Sequence, residues 1–246
     1  LLFMPASYLI VGGSSDIAIL LTKRLLKEQH NVTVLARDIA RCSEIQELGA
    51  EIIQGDALDP SAVSAAVDAA QARGNGSIAG VAHLVGSLLI RPPHAVKIDA
   101  FNEVIHTNLS TAFLTLSTAC KAMLRSGGGR LVFISSVAAS LGLVNHEAIA
   151  AAKGGIESMV RSAAATYSQR NIRVNAVAPG LTETRLAENI LKSDVIREAA
   201  VGMIPLKRIN QPDEIASTVE WLLCDAPDNL TGQILNLDGG MSNLRN

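Results

Sequence analysis

The sequence predicts an α/β fold, a doubly wound parallel sheet of seven strands with helices on both faces. Short runs rich in Val, Ile and Leu alternate with longer Ala-rich segments of helical period, the alternation that builds a covered parallel sheet. Most of the short runs are apolar almost throughout, as strands buried on both faces must be. The chain has 246 residues, 48% apolar and 18% charged, so it can bury a large core. No linker or internal repeat interrupts it, and residues 1–246 read as a single domain.

Strands are expected at Ser7 to Val11, Val32 to Ala36, Glu51 to Gln54, Ile78 to Val85, Gly129 to Ser135, Ile172 to Ala178 and Gln233 to Leu237. Helices fit between them at Asp16 to Gln29, Ile39 to Leu48, Ser61 to Arg73, Asp99 to Arg125, Glu147 to Gln169 and Asp213 to Cys224. On the third helix Ala62, Ala65, Ala66, Ala69 and Ala70 are small enough to let it lie close to a sheet. One connection is out of scale. Leu181 to Ile209 joins the sixth strand to the last helix through about thirty residues, where about two to six is usual. Leu186, Ile190, Leu191, Val195 and Ile196 recur there at near-helical spacing, which predicts one or two short amphipathic helices closing as a lid over a pocket. A helix packed permanently on the sheet edge is the alternative.

Charge excludes some partners. Lys plus Arg is 21 and Asp plus Glu is 23, a net −2 that gathers neither nucleic acid nor anionic lipid. No uncharged apolar run reaches the roughly 18 to 20 residues of a membrane span, and Leu1-Leu2-Phe3-Met4 lacks the basic stretch that precedes a signal core. A cytoplasmic protein is expected. Cys42, Cys120 and Cys224 form no CxxC pair, so they read as reduced core residues, and no metal site is expected.

The first strand runs into Gly12-Gly13-Ser14-Ser15-Asp16-Ile17-Ala18, a small-residue turn opening a helix. Bare amides and the positive helix end can receive a pyrophosphate there. Asp16 either caps the helix with its carboxylate or repels that pyrophosphate unless it turns away. The second strand ends Leu35-Ala36-Arg37-Asp38. An acid at that end selects a free ribose 2′-hydroxyl whereas an arginine suits a 2′-phosphate, so Arg37 favours NADP(H) over NAD(H). After the third strand, Gly55-Asp56-Ala57 offers a carboxylate to an adenine amino group.

With these pieces in order the chain resembles the short-chain dehydrogenase/reductase family, and especially its 3-oxoacyl-carrier-protein reductase branch, over essentially its whole length. Val81-Ala82-His83-Leu84-Val85-Gly86 stands where the family has Asn-Asn-Ala-Gly, with only Gly86 kept. Thr107-Asn108-Leu109 is similar to its Asn-Leu motif and Ile134-Ser135-Ser136 to its catalytic serine strand. Asn175-Ala176-Val177-Ala178-Pro179-Gly180, with Thr182 and Thr184, resembles its nicotinamide segment, and Thr231 to Gly240 its final strand. The resemblance implies a Rossmann-like fold, hydride transfer between a nicotinamide cofactor and a carbonyl or alcohol, and a homo-tetramer or dimer packed through the two long helices. Ala112, Ala119, Ala163, Ala164 and Ala165 would permit that close approach.

The resemblance also implies that Ser, Tyr, Lys and Asn share the proton work, the tyrosine four residues before the lysine. Here that segment is Ile149-Ala150-Ala151-Ala152-Lys153, and the tyrosine position is isoleucine. Ser136 lies thirteen residues before Ile149, the family's serine-to-tyrosine spacing, so the register is secure. Tyr8 and Tyr167 are too far along the chain to substitute. His146 stands seven residues before Lys153, close to two helical turns, and carries a near-neutral pKa. It reads either as a replacement donor or as a surface histidine at a helix start behind an Asn145 N-cap. His83 and His94 read more simply as structural residues, Glu147 as a favourable helix-start charge, and Met123, Met159 and Met203 as filler.

The catalytic positions are therefore Asn108, Ser136, Lys153 and His146. The cofactor positions are Gly12, Ser14, Ser15, Asp16, Ile17, Arg37, Asp56, Ala57, Gly86, Lys153, Pro179, Gly180, Thr182 and Thr184. The leading reading is an NADP(H)-dependent oxidoreductase with an atypical proton donor, acting on a small-molecule carbonyl, alcohol or activated double bond. The alternatives are a nucleotide-binding sensor or subunit partner that has lost catalysis, and a scaffold that binds no nucleotide.

Overall fold

Seven parallel strands, among the described residues 5–244 of this computed structural model, form one sheet in the order β3-β2-β1-β4-β5-β6-β7. They are β1 (Ser7–Val11), β2 (Asn31–Ala36), β3 (Glu51–Gln54), β4 (Gly80–His83), β5 (Gly129–Ile134), β6 (Ile172–Pro179) and β7 (Ile234–Leu237). The helices that cover them are α1 (Asp16–Lys27), α2 (Ser43–Glu47), α3 (Pro60–Arg73), α4 (Ile98–Ile105), α5 (Thr111–Ser126), α6 (Glu147–Tyr167), α7 (Glu188–Leu191), α8 (Asp194–Met203) and α9 (Pro212–Cys224). None is long and apolar enough to cross a membrane.

The side-chain period of two along each strand divides the core into two layers. Leu9 and Val11 of β1 face one side, where Leu131, Phe133 and Val174 meet Val63 and Ala66 of α3, Leu116 and Met123 of α5 and Ile156 and Val160 of α6. Ile10 faces the other with Val34, Val132 and Val177, under Ala18, Leu21 and Leu25 of α1 and Ile215, Val219 and Leu222 of α9. β1 pairs with both β2 and β4, so chain order reverses beside it. A crevice at the carboxyl ends of the strands opens at such a reversal.

Several boundaries differ from those expected, each for a local reason. The helix read as Asp99 to Arg125 is α4 and α5 joined by a π-helical turn, His106–Ser110. There the Asn108 amide donates to the Val104 carbonyl at 2.9 Å, satisfying a group that the widened turn frees. Ile39 to Leu48 is a 3-10 turn, Ile39–Cys42, followed by the short α2. The fourth strand is only Gly80–His83, not Ile78 to Val85. Asp16 does not cap α1, because Ser15 does so, its side chain accepting from the Ala18 amide at 3.2 Å. Asn145 does not cap α6. It lies in the left-handed region at φ 64, and His146 holds the N-cap position without a side-chain cap bond.

The β1–α1 turn depends on Gly12. Its φ is +87, and a Cβ there would stand 2.7 Å from the Val85 backbone nitrogen. Gly12→Ala is therefore expected to cost about 2 to 4 kcal/mol in urea denaturation, strain and collision combined. Gly142→Ala, where no atom lies within 4 Å of the added Cβ, stays within about 0.5 kcal/mol of the parent.

Candidate active site

The carboxyl edge of the sheet opens into a cleft of about 1030 Å³, bounded by the β1–α1 turn, the ends of β2 to β6, the start of α6 and the 181–209 excursion. Every candidate position from the sequence borders it except Asn108. The excursion contains a 3-10 turn, Arg185–Ala187, followed by α7 and α8. Leu186, Ile190, Ile196, Met203 and Ile204 face the cleft, whereas Leu191 does not border it and Val195 is exposed. Its root is held by the Thr182–Asn210 bridge and the Asn210 amide on the Leu237 carbonyl.

Lys153 projects from α6 to the cleft floor. Its Nζ donates to the Ile134 carbonyl at 2.9 Å, and burial pushes its pKa down to about 8. Gly86 faces it, and a Cβ on that glycine would stand 3.6 Å from Lys153 Nζ and 3.3 Å from Asn108 Oδ1. Bare backbone at Gly86 thus lets Asn108 sit directly behind the cleft wall. Asn108 is fully buried, its Oδ1 accepting from the Ser87 amide at 3.2 Å and its amide donating to Ser87 Oγ at 2.9 Å. Ser136 lies two residues beyond β5, capping the Val137–Ala139 3-10 turn, and its Oγ accepts from the Ala138 amide, leaving the hydroxyl proton available to a ligand.

Ile149 lies one turn before Lys153 on α6 and is 2% exposed, packed with Val104, Ala138, Ala148 and Ala152. Leu88, Leu89 and Leu143 complete that aliphatic wall. His146 borders the cleft beyond it. Its Nδ1 lies 2.7 Å from the Val144 carbonyl, and a carbonyl only accepts, so Nδ1 carries a proton and Nε2 is the ring's second site.

The other histidines and tyrosines lie elsewhere. The Thr111 hydroxyl donates to the Thr107 carbonyl at 2.7 Å, so it accepts from His83 Nε2 at 3.1 Å, and His83 Nδ1 accepts from the Thr115 hydroxyl at 2.9 Å. Burial, and secondarily the Lys153 charge, holds the His83 pKa down to about 3. His94, Tyr8 and Tyr167 do not border the cleft, and the Tyr8 hydroxyl lies 3.3 Å from Cys224 Sγ at the other end of the sheet. Cys42 and Cys120 are buried, Cys224 is partly exposed, and none is bridged. Among the described residues no group of three His, Cys, Asp or Glu side chains could hold a metal ion.

At the opposite end of the cleft Arg37 and Asp56 approach to 3.5 Å, the arginine side chain 73% exposed. Sequence reasoning missed two residues here. Arg41 borders the cleft, donating to the Ser14 carbonyl at 2.5 Å and to Asp16 Oδ1 at 2.9 Å. The Arg185 backbone amide donates to Asp16 Oδ2 at 2.8 Å. Burial opposes ionisation of Asp16, but these two donors and the arginine charges outweigh it and hold the carboxyl below its usual range. No motif marked Arg41, which precedes Cys42 in an irregular turn. It was also unforeseen that Asp238, buried behind Gly180, would gather the Gly240 and Ser242 amides at 2.9 Å each and brace the β6 end.

A sequence model described as enoyl-(acyl carrier protein) reductase matches residues 12–242. The chain belongs to the short-chain dehydrogenase/reductase family. It is 30% identical over 239 residues to the 3-oxoacyl-[acyl-carrier-protein] reductase MabA of Mycobacterium tuberculosis, covering 97% of this chain and 94% of that protein. A short-chain type dehydrogenase/reductase from Mycobacterium ulcerans superposes with a TM-score of 0.92 at 29% identity, covering 98% of this chain and 91% of that one. An actinorhodin polyketide ketoreductase variant solved with NADPH gives 0.89 at 27% identity, covering 98% and 100%. Ile149 and Asp16 both border the cleft.

His83 makes the fold sensitive to acid. Its folded pKa lies below the ordinary 6.5, so between pH 6.5 and about 3 the unfolded chain binds a proton that the folded chain refuses. Stability from this group is present above pH 6.5 and is lost as pH falls, at no more than about 1.4 kcal/mol per pH unit. Urea titrations from pH 7 to 4 should show a shallower loss for His83→Asn than for the parent.

Proposed function

We propose that the chain is an NADP(H)-dependent oxidoreductase acting on an apolar carbonyl compound, alcohol or activated double bond, with an atypical proton donor. The observation that carries this is the meeting of Lys153, Gly86 and Ser136 at one end of a dinucleotide-sized cleft whose tyrosine position is aliphatic.

The residues present fit that cofactor. The bare turn at Gly12 and the close backbone at Gly86 form a cradle that side chains would fill. Of the residues that border the cleft, Ser14, Ser15 and Ile17 would hold the pyrophosphate, Pro179, Gly180, Thr182 and Thr184 the nicotinamide, and Asp56 and Ala57 the adenine. The Arg37 guanidinium beyond the end of β2 suits a 2′-phosphate and so NADP(H) rather than NAD(H). The actinorhodin ketoreductase, solved with NADPH, supports the same choice. When bound, NADP(H) supplies the hydride.

Everything else falls to the chain. Lys153 holds the nicotinamide ribose through its ammonium. Asn108 acts behind the wall as a positioning residue, fixing Ser87 and the Gly86 backbone. The Ser136 hydroxyl donates to the substrate oxygen. Protonated His146 then gives its Nε2 proton to the substrate oxygen, while Nδ1 keeps its own proton in the hydrogen bond to the Val144 carbonyl, which leaves a neutral ring. Ile149, Leu143 and the lid residues exclude water around an apolar substrate.

The burial of Ile149 favours a second reading, an NADP(H)-binding sensor or subunit partner without turnover. The test is NADPH consumption over a panel of apolar ketones and enones. Turnover that falls about 10²- to 10⁴-fold in His146→Ala, with NADPH affinity kept, supports the first reading. Saturable NADPH binding without turnover supports the second, and Ile149→Tyr is then expected to start carbonyl reduction. No NADPH binding at millimolar concentration overturns both.

Assembly as a dimer or tetramer would use the outer faces of α5 and α6. The alanines expected there are mostly spent inside, since Ala112, Ala119, Ala163 and Ala164 are buried in the core and only Ala165 is exposed. The outer face instead presents Phe113, 58% exposed, beside Leu109, Leu114 and Met159. Phe113→Glu should shift the species seen by sedimentation toward monomer.

A further inference from the structure

Asp16 occupies a position that a phosphate-binding turn would leave bare, and it does not point into solvent. One carboxylate oxygen accepts the backbone N–H of Arg185 at 2.8 Å and the other accepts Arg41 Nη2 at 2.9 Å. These two donors come from separate segments bordering the cleft, one from the first turn of the lid and one from the segment after β2. An amide and a guanidinium converging on one pair of oxygens form a donor set that also suits a phosphate. Arg41 is held for this role from its other side, by the bond from Nη1 to the Ser14 carbonyl in the β1–α1 turn.

We propose that the Asp16 carboxylate is a built-in anion that occupies the donors a dinucleotide phosphate would take and ties the lid to the β1–α1 turn, so that cofactor binding and lid release are coupled through one side chain. This rests on the dinucleotide reading of the cleft. In the free protein the negative charge is satisfied internally and the root of the Arg185–Ala187 turn is fixed over the crevice. An arriving pyrophosphate meets a fixed negative charge among its own ligands and must displace it. Once displaced, Asp16 no longer holds Arg185, and the lid takes its position from the ligand. Asp16 is thus a positioning residue that lowers affinity for dianionic ligands, and the charge carries the effect more than the bulk does.

Asp16→Asn removes the charge while keeping an oxygen for the Arg185 amide, and Asp16→Gly removes both. Two measurements separate the claims. Limited trypsin digestion of the free proteins reads cleavage after Lys192 and Arg197 in the lid, and NADPH fluorescence titration reads affinity. The expected result is lid cleavage several-fold faster in Asp16→Gly, with NADPH binding about tenfold tighter or more in both variants and the lid protected again by NADPH. Unchanged lid cleavage in Asp16→Gly overturns the tie between turn and lid, whatever the cofactor does. Faster cleavage with NADPH affinity equal to or weaker than the parent's overturns the competition. Faster cleavage with no NADPH binding in any of the three proteins supports the tie and overturns the dinucleotide reading instead.

Discussion

Because the strands of this sheet all run the same way, every strand-to-helix turn leaves from one edge, and the chemistry of the protein is confined to that edge. The constraint is a packing one. A parallel sheet must be covered on both faces, here by α3, α5 and α6 on one side and α1 and α9 on the other, so its faces carry no free surface for a ligand. The crevice at the chain reversal beside β1 is what remains. Its glycines allow close packing there: a Cβ at Gly12 would collide with the Val85 backbone, and one at Gly86 would crowd Asn108 behind the wall.

Within that crevice the electrostatics are sparse. Lys153 is the buried cation of the floor, anchored to a backbone carbonyl and not to a carboxylate, and desolvation alone lowers its pKa. A buried neutral histidine, His83, lies beneath, its tautomer fixed by Thr111 and Thr115. Beside the lysine the wall is aliphatic. A phenol four residues before it would have ionised more easily in the field of the ammonium, whereas Ile149 offers shape and dryness only. In the proposed reaction the proton comes instead from His146, at the N-cap of α6. The opposite end of the cleft is the reverse case, rich in charge that is already paired, Arg37 with Asp56 and Arg41 with Asp16.

Much of this was legible in the chain. Apolar runs without alternation located all seven strands within a few residues. The out-of-scale 181–209 connection announced the short helices α7 and α8. The misreadings share a cause. Helical periodicity does not register an inserted residue, so the π turn at Asn108 was hidden inside an unbroken pattern from Asp99 to Arg125. Capping preference ranks residue types without fixing the backbone, so it favoured Asp16 over Ser15 and Asn145 over His146. Alanine reads as small whichever way it points, and Ala112, Ala119, Ala163 and Ala164 turned inward.

The sequence by itself determined the strand-and-helix order, the bare phosphate-sized turn and the absence of a tyrosine at position 149, because each depends on residue type and near-neighbour spacing. Only the tertiary structure decided that Asp16 faces Arg41 and the Arg185 amide, that Asn108 stands behind Gly86, and that Ile149 seals an aliphatic wall. The two Asp16 contacts alone join residues 25 and 169 positions apart, and such geometry follows from how the helices and the 181–209 segment settle against the sheet.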